Sequence, residues 1–205
     1  MKKIGRWKNP WLIVIACLLI ASAAFNFTLF TAARENSLAA NGSIREVMRL
    51  IKSADSQLNG AIQSIEGGAG AAESLSKVAQ VRVRLTEAAG LLGGVRQEAS
   101  RYIDEMRFYN LTDTLRLFDR HLESEVTAGW QEGDAALDAS REQALIELRS
   151  MKLDLAQLAD LSRDPNHDFY DVKDLVQRWE SAIRQRVQED PNTKLHQELS
   201  WRYGL

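Results

Sequence analysis

WLIVIACLLIASAAFNFTLFTAA, residues 11–33, runs for 23 residues without a charged side chain. A helix rises about 1.5 Å per residue, so one of this length crosses a hydrocarbon core of roughly 30 Å. The run predicts a single N-terminal transmembrane helix and sets the frame for its flanks. Lys2, Lys3, Arg6 and Lys8 precede it, whereas Arg34 is followed at once by Glu35. Positive flanks stay on the cytoplasmic side. Residues 1–10 are therefore expected inside as a basic tail and residues 34–205 outside. Trp7 and Trp11 stand where an inner-face aromatic belt belongs.

The run exceeds the ~7–15-residue apolar core of a secretory leader, which favours a retained signal-anchor. Two other fates use the same residues. Ala21-Ser22-Ala23 has the small-x-small pattern of a cleavage site, and Val14-Ile15-Ala16-Cys17 resembles a bacterial lipobox. The apolar residues after Cys17 argue against lipidation, because they would carry the new N-terminus into the bilayer. All three fates leave the rest of the chain outside the cytoplasm. Within the segment, Asn26 is the one strongly polar side chain, and small residues recur at Cys17, Ala21, Ala24, Thr28 and Thr31. Polar groups in a bilayer turn toward partner helices, which makes Asn26 the candidate for a lateral helix contact.

Setting Lys2, Lys3, Arg6 and Lys8 aside from 26 basic residues leaves 22 against 28 acidic ones, a net charge of −6 for the remainder. An acidic surface without a basic stripe argues against nucleic acid as a partner, since that binding depends on neutralising phosphates. Cys17 is the only cysteine and lies in the apolar run, so the outer part has no disulfide. Packing alone must hold it together.

Residues 34–42 read as a polar joint ending in Asn41-Gly42, with Ser43 and Glu46 at the spacing of a capping box that opens a helix. Ile44, Met48, Ile51, Asp55, Leu58, Ile62 and Ile65 then alternate at steps of four and three, a heptad seam with one charged intruder. Gly67-Gly68-Ala69-Gly70 ends that helix as a turn; it lacks the preceding strand and the motif of a nucleotide loop. A longer seam follows at Val78, Val81, Leu85, Ala88, Leu92, Val95, Ala99, Tyr102, Met106 and Tyr109. Gly93-Gly94 inside it signals a kink or a close helix contact. Asn110 or Thr112 is suited to cap a third helix carrying Leu115, Phe118, Leu122 and Val126.

A fourth helix is expected from about Ala135 to Leu161, with Ala144, Leu148, Met151, Leu155 and Leu158 inward. A fifth carries Phe169, Val172, Val176, Trp179 and Ile183, and Asp190-Pro191 starts a terminal helix that Gly204 ends. No stretch alternates with the period of a strand. The pattern predicts an all-α fold, with residues 43–205 forming an antiparallel helical bundle with coiled-coil-like seams.

Sites of chemistry are sparse. Asp164, His167, Asp168, Asp171 and Asp174 form the densest set of metal-ligand types, oxygen-rich and suited to a hard cation. The same residues serve equally as caps and first-turn acids of the fifth helix, which is the reading preferred. His121 reads as a helix-surface histidine, and His196 and Glu198, two apart, do not face each other. Asp55 either pairs with Arg82 or Arg96 or yields its inward place to Ala54. Tyr102, Met106, Phe108, Tyr109, Trp130, Trp179 and Trp201 supply core, or line a small-ligand pocket between helices.

No catalytic constellation and no cofactor motif are found. The expectation is a non-enzymatic single-pass membrane protein of the cell membrane, presenting an extracytoplasmic helical bundle as an interaction or scaffolding module. Its partner would be another protein or a second copy, met through helical surfaces. The alternative is a sensory or small-ligand-binding bundle. Its architecture resembles the periplasmic helical domains of bacterial chemoreceptors, without their second span and output domain, so a signal would pass through a partner.

Overall fold

The computed structural model describes residues 10–99, 105–127, 137–161 and 172–204, which are almost entirely helical and contain no strand. In chain order they form α1 (Pro10–Glu66), α2 (Ala71–Ala99), α3 (Glu105–His121), a π-helical turn (Leu122–Thr127), α4 (Leu137–Asp160), α5 (Val172–Glu189) and α6 (Lys194–Tyr203). The chain divides into two compact units, Met1–Ala39 and Ala40–Leu205.

In the first unit the described residues are one stretch of α1. The Thr28 hydroxyl donates to the Phe25 carbonyl at 2.8 Å and that of Thr31 to the Phe27 carbonyl at 3.1 Å. Both polar groups are thus satisfied on their own helix. Among the described residues no helix is long and apolar enough to cross a membrane. The side chains of Leu12, Ile13 and Ala16 are not among those described.

The polar joint at 34–42 and the helix start at Ser43 do not form as expected: α1 is helical through both. Residues 34–42 contain no proline, and extending an existing helix avoids a second nucleation step. Gly42 weakens the helix by about 1 kcal/mol, too little to break it. The division into units still falls here, between Ala39 and Ala40.

The second unit is a helical bundle around one apolar core. The seam of α1 is buried at Ile44, Met48, Ile51, Leu58, Ile62 and Ile65, and that of α2 at Val78, Val81, Leu85, Ala88, Leu92 and Val95. Leu115, Phe118, Leu122 and Val126 are buried from the third helical segment, and Ala144, Leu148, Met151, Leu155 and Leu158 from α4. Between α1 and α2, Gly68 takes φ 78°, its N–H donating to the Ile65 carbonyl while that of Ala69 reaches the Ser64 carbonyl. Those two bonds are the Schellman ending, which needs a left-handed residue at this position.

Two boundaries differ from the sequence reading. The long second helix is divided: Arg82 meets Asp119, 37 residues on, at 2.8 Å, so α3 runs back along α2, and Asn110 and Thr112 lie inside α3 rather than capping a helix. Residues 100–104, including Tyr102, and the side chains of Met106 and Phe108 lie outside the described residues, and Tyr109 is exposed. Gly93 and Gly94 do not stop α2, as expected, but neither serves a close contact, since a Cβ at either would meet nothing within 4 Å. Finally, Pro191 sits in a turn before α6. Thr193 is the cap, its hydroxyl accepting the His196 N–H at 3.2 Å, and Gly204 at φ 61° closes the helix as expected.

A buried ionic face on α4 as the candidate functional site

Gln143, Glu147, Ser150 and Asp154 follow one another along α4 at steps of four, three and four, one residue out of phase with its apolar seam. Steps of this kind keep side chains on one face. Glu147, Ser150 and Asp154 are buried, and α4 thus sends a polar row into the interior beside an apolar one.

Asp154 is fully buried. Its Oδ1 accepts from Arg186 Nε at 2.8 Å, and its Oδ2 faces His196 Nε2 at 2.9 Å. The other ring nitrogen of His196, Nδ1, faces the Asp190 carbonyl oxygen at 2.5 Å. A carbonyl and a carboxylate can only accept, so both ring nitrogens must carry protons and His196 is an imidazolium. Burial pulls its pKa down, but the Asp154 carboxylate and the Asp190 carbonyl outweigh burial and the opposing Arg186 charge, leaving it above the ordinary histidine value. Arg186 also donates to Glu189 at 2.9 Å, and the Ser150 hydroxyl donates to Asp190 Oδ2 at 2.7 Å.

One heptad earlier, Glu147 Oε2 lies 3.0 Å from His121 Nε2. Its Oε1 accepts from Gln143 Nε2 at 3.1 Å and from the Lys194 N–H at 3.4 Å. Burial raises the Glu147 carboxyl, yet His121 and these two donors more than offset it and hold the pKa below the usual range. The Lys194 ammonium continues the network to Glu125 in the π-helical turn. Residue pairs 157–185, 154–186, 150–190 and 147–194 are bonded in turn, which fixes α4 antiparallel to α5 and to the segment leading into α6. Chemically, the face is a set of clamps. His196 has both nitrogens committed and is 1% exposed, so it has no free position for proton transfer to a substrate.

These positions correct one sequence reading and agree with another. His121 is buried, not on the helix surface, whereas His196 and Glu198 do not face each other, as their spacing implies; His196 meets Asp154. The available signal was the 4-3-4 row of polar residues on α4, which a reading based on apolar periodicity assigns to solvent. Ala54 takes the inward place on α1 while Asp55 is half-buried, with Oδ1 lacking a hydrogen-bond partner. Burial raises the Asp55 carboxyl, the nearby Lys152 charge opposes this, and Asp160 adds to it. Arg82 is engaged elsewhere, by Asp119 at 2.8 Å and Glu123 at 3.1 Å, and the Arg96 side chain is not described.

Of the acidic cluster, Asp164, His167, Asp168 and Asp171 lie outside the described residues, as does Trp130. Asp174 is exposed and pairs with Arg178 at 2.5 Å. Among the described residues no three histidine, cysteine or acidic side chains converge as a metal site. Asn26 is exposed on α1, and Trp179 is buried. No known protein family, curated protein or solved structure matches this chain.

Proposed function

We propose that the chain is a single-pass membrane protein whose N-terminal helix anchors a non-enzymatic helical bundle outside the cytoplasm, where it serves as an interaction module. The carrying observation is the character of α1 in the first unit. Leu18, Leu19, Ile20, Phe25, Phe27 and Phe30 are each 64–69% exposed, and these positions surround the helix rather than forming one stripe. A helix apolar all round, with no protein covering it, is stable in lipid and not in water. The charge-free run over residues 11–33 includes Leu12, Ile13 and Ala16 and has the length of a span. The four basic residues ahead of it favour an inside N-terminus.

The non-enzymatic reading draws support from the ionic face, where buried charges are spent on joining helices. The interaction reading draws support from Trp201, 85% exposed on α6, and from Leu153 and Ile146, exposed on α4. Topology fusions test the anchor. A C-terminal alkaline phosphatase is expected to be active and a C-terminal fluorescent protein dark, with the chain retained in carbonate-washed membranes. A C-terminus reporting from the cytoplasm refutes the reading. Co-purification from detergent after crosslinking in intact cells is expected to recover a stoichiometric partner, or a second copy.

A further inference from the structure

α6 is ten residues long and packs on α3, α4 and α5. A helix this short has little stability of its own in water, so its order depends on docking. Its apolar hold is small: Leu195 and Leu199 are buried, whereas Trp201 is exposed. The rest is largely polar and spread over its neighbours. At its start the Lys194 ammonium pairs with Glu125 of the π-helical turn, and the Lys194 N–H donates to Glu147 of α4, which also faces His121 of α3. At its end Asp113 of α3 takes Arg202 at 2.7 Å and the Tyr203 hydroxyl at 2.8 Å, while Arg120 of α3 lies 3.9 Å from Glu198. Between these ends His196 sits against Asp154 of α4 and the Asp190 carbonyl, with Arg186 of α5 on the other oxygen of Asp154.

Both ring nitrogens of His196 face oxygens that can only accept. Loss of either proton opposes two acceptors at 2.9 Å or at 2.5 Å, on a side chain with no exposed surface. A neutral imidazole therefore keeps its place only with a buried bond unmade, which is costly. The other tethers do not share this dependence. Glu125 holds Lys194, and Asp113 holds Arg202, above their ordinary values, and burial together with Asp113 raises Tyr203. These three keep their protons in the range where His196 gives up its own, above the ordinary value of 6.5.

We propose that α6 is a pH-operated latch: protonated His196 keeps it docked on α3, α4 and α5, and deprotonation of His196 releases it while the rest of the bundle stays folded, uncovering Leu195, Leu199 and the surfaces they cover. Elements that open locally in this way are drawn from the less stable parts of a fold. The latch is independent of the anchor reading. Hydrogen–deuterium exchange on the full chain in detergent, between about pH 6 and pH 9, tests it. Each amide's rate is divided by its intrinsic rate at the same pH. Protection of residues 194–203 is expected to fall as pH rises, by at most about tenfold per pH unit, while that of residues 78–95 in α2 holds. His196→Gln is expected to show the low α6 protection already at the acid end, with little further change. Lys194→Gln, on an exposed side chain, is expected to lower α6 protection by a similar factor at every pH and to keep the pH response. α6 protection that does not change with pH overturns the proposal, as does a parallel loss in α2. A His196→Gln protein that keeps the parent's pH response also overturns it and puts the titrating group elsewhere, His121 included. Should His196→Gln fail to fold, seen as lost α2 protection at the acid end, the parent and Lys194→Gln profiles decide. None of these outcomes bears on the topology fusions.

Discussion

Replacing Asp154 by Asn removes one negative charge from a site that holds two cationic partners. Asp154 is fully buried, and the Arg186 side chain beside it is only 9% exposed. Removing one member of a buried ion pair costs about 3–5 kcal/mol, because the surviving charge keeps its desolvation penalty and loses its compensation. For a domain of this size each kcal/mol corresponds to about 2–4 °C, so the midpoint is expected to fall by about 6–20 °C. The pH dependence is the more specific signature. His196 has a folded pKa raised above its unfolded value of about 6.5. Its contribution is therefore complete below about pH 6.5 and is lost as pH rises through the folded value, with a slope of at most about 1.36 kcal/mol per pH unit. In Asp154→Asn the main cause of the raised pKa is gone, while burial and Arg186, which oppose the charge, remain. The alkaline decline should then flatten. Urea denaturation of residues 40–205, followed by circular dichroism from pH 5 to pH 9, measures both effects. A variant that keeps the parent's decline above pH 6.5, or that loses less than about 1 kcal/mol, refutes the imidazolium clamp.

His121→Ala should cost about 2–3 kcal/mol in the same assay, since the buried Glu147 loses its imidazole hydrogen-bond partner but keeps Gln143 and the Lys194 N–H. The Glu147 pKa is lowered, so its contribution is present above about pH 4.3 and lost as pH falls through the folded value; in His121→Ala that acid limb should shrink. Leu85→Ala and Leu92→Ala, at two fully buried seam positions, should each cost about 2–5 kcal/mol. Gly93→Ala should instead raise stability by about 0.5–1 kcal/mol, because the added methyl meets nothing and helix propensity improves; a loss in urea melts would show that the glycine has a packing role.

The apolar seams were legible because burial at steps of three and four leaves a direct record in residue type. Ile44 to Ile65, Val78 to Val95 and Ala144 to Leu158 all reach the core at their expected positions, Asp55 excepted. The ionic face was not legible. Glutamate, serine and aspartate on a helix are ordinarily solvated, and their partners lie 26 residues away for His121 and 42 away for His196. No local pattern encodes such a pairing. The joint at 34–42 failed for a different reason: Asn41-Gly42 is a break signal in isolation, but a helix already nucleated on one side passes through it. Pro191 misplaced the start of α6 because the Thr193 cap, two residues on, satisfies an actual N–H of the helix.

The doubled rows of α4 also bear on how the bundle chooses its alignment. Apolar seams repeat every seven residues, so sliding one helix past another by a heptad brings leucine back onto leucine and changes the packing energy little. The polar row does not repeat in that way. Glu147 and Asp154 stand one heptad apart but meet different groups, His121 in one case and Arg186 with His196 in the other. A slip that carried Glu147 to the place of Asp154 would bring Ser140 to the place of Glu147, leaving His121 without its carboxylate. The opposite slip would bring Leu161 to the place of Asp154 and leave two buried cations facing an apolar side chain. Each misalignment strands ionisable groups at a cost on the order of 3–5 kcal/mol, comparable with the lower end of a whole domain's stability. The ionic face thereby acts as a key that admits one alignment among several that the hydrophobic surfaces alone would accept.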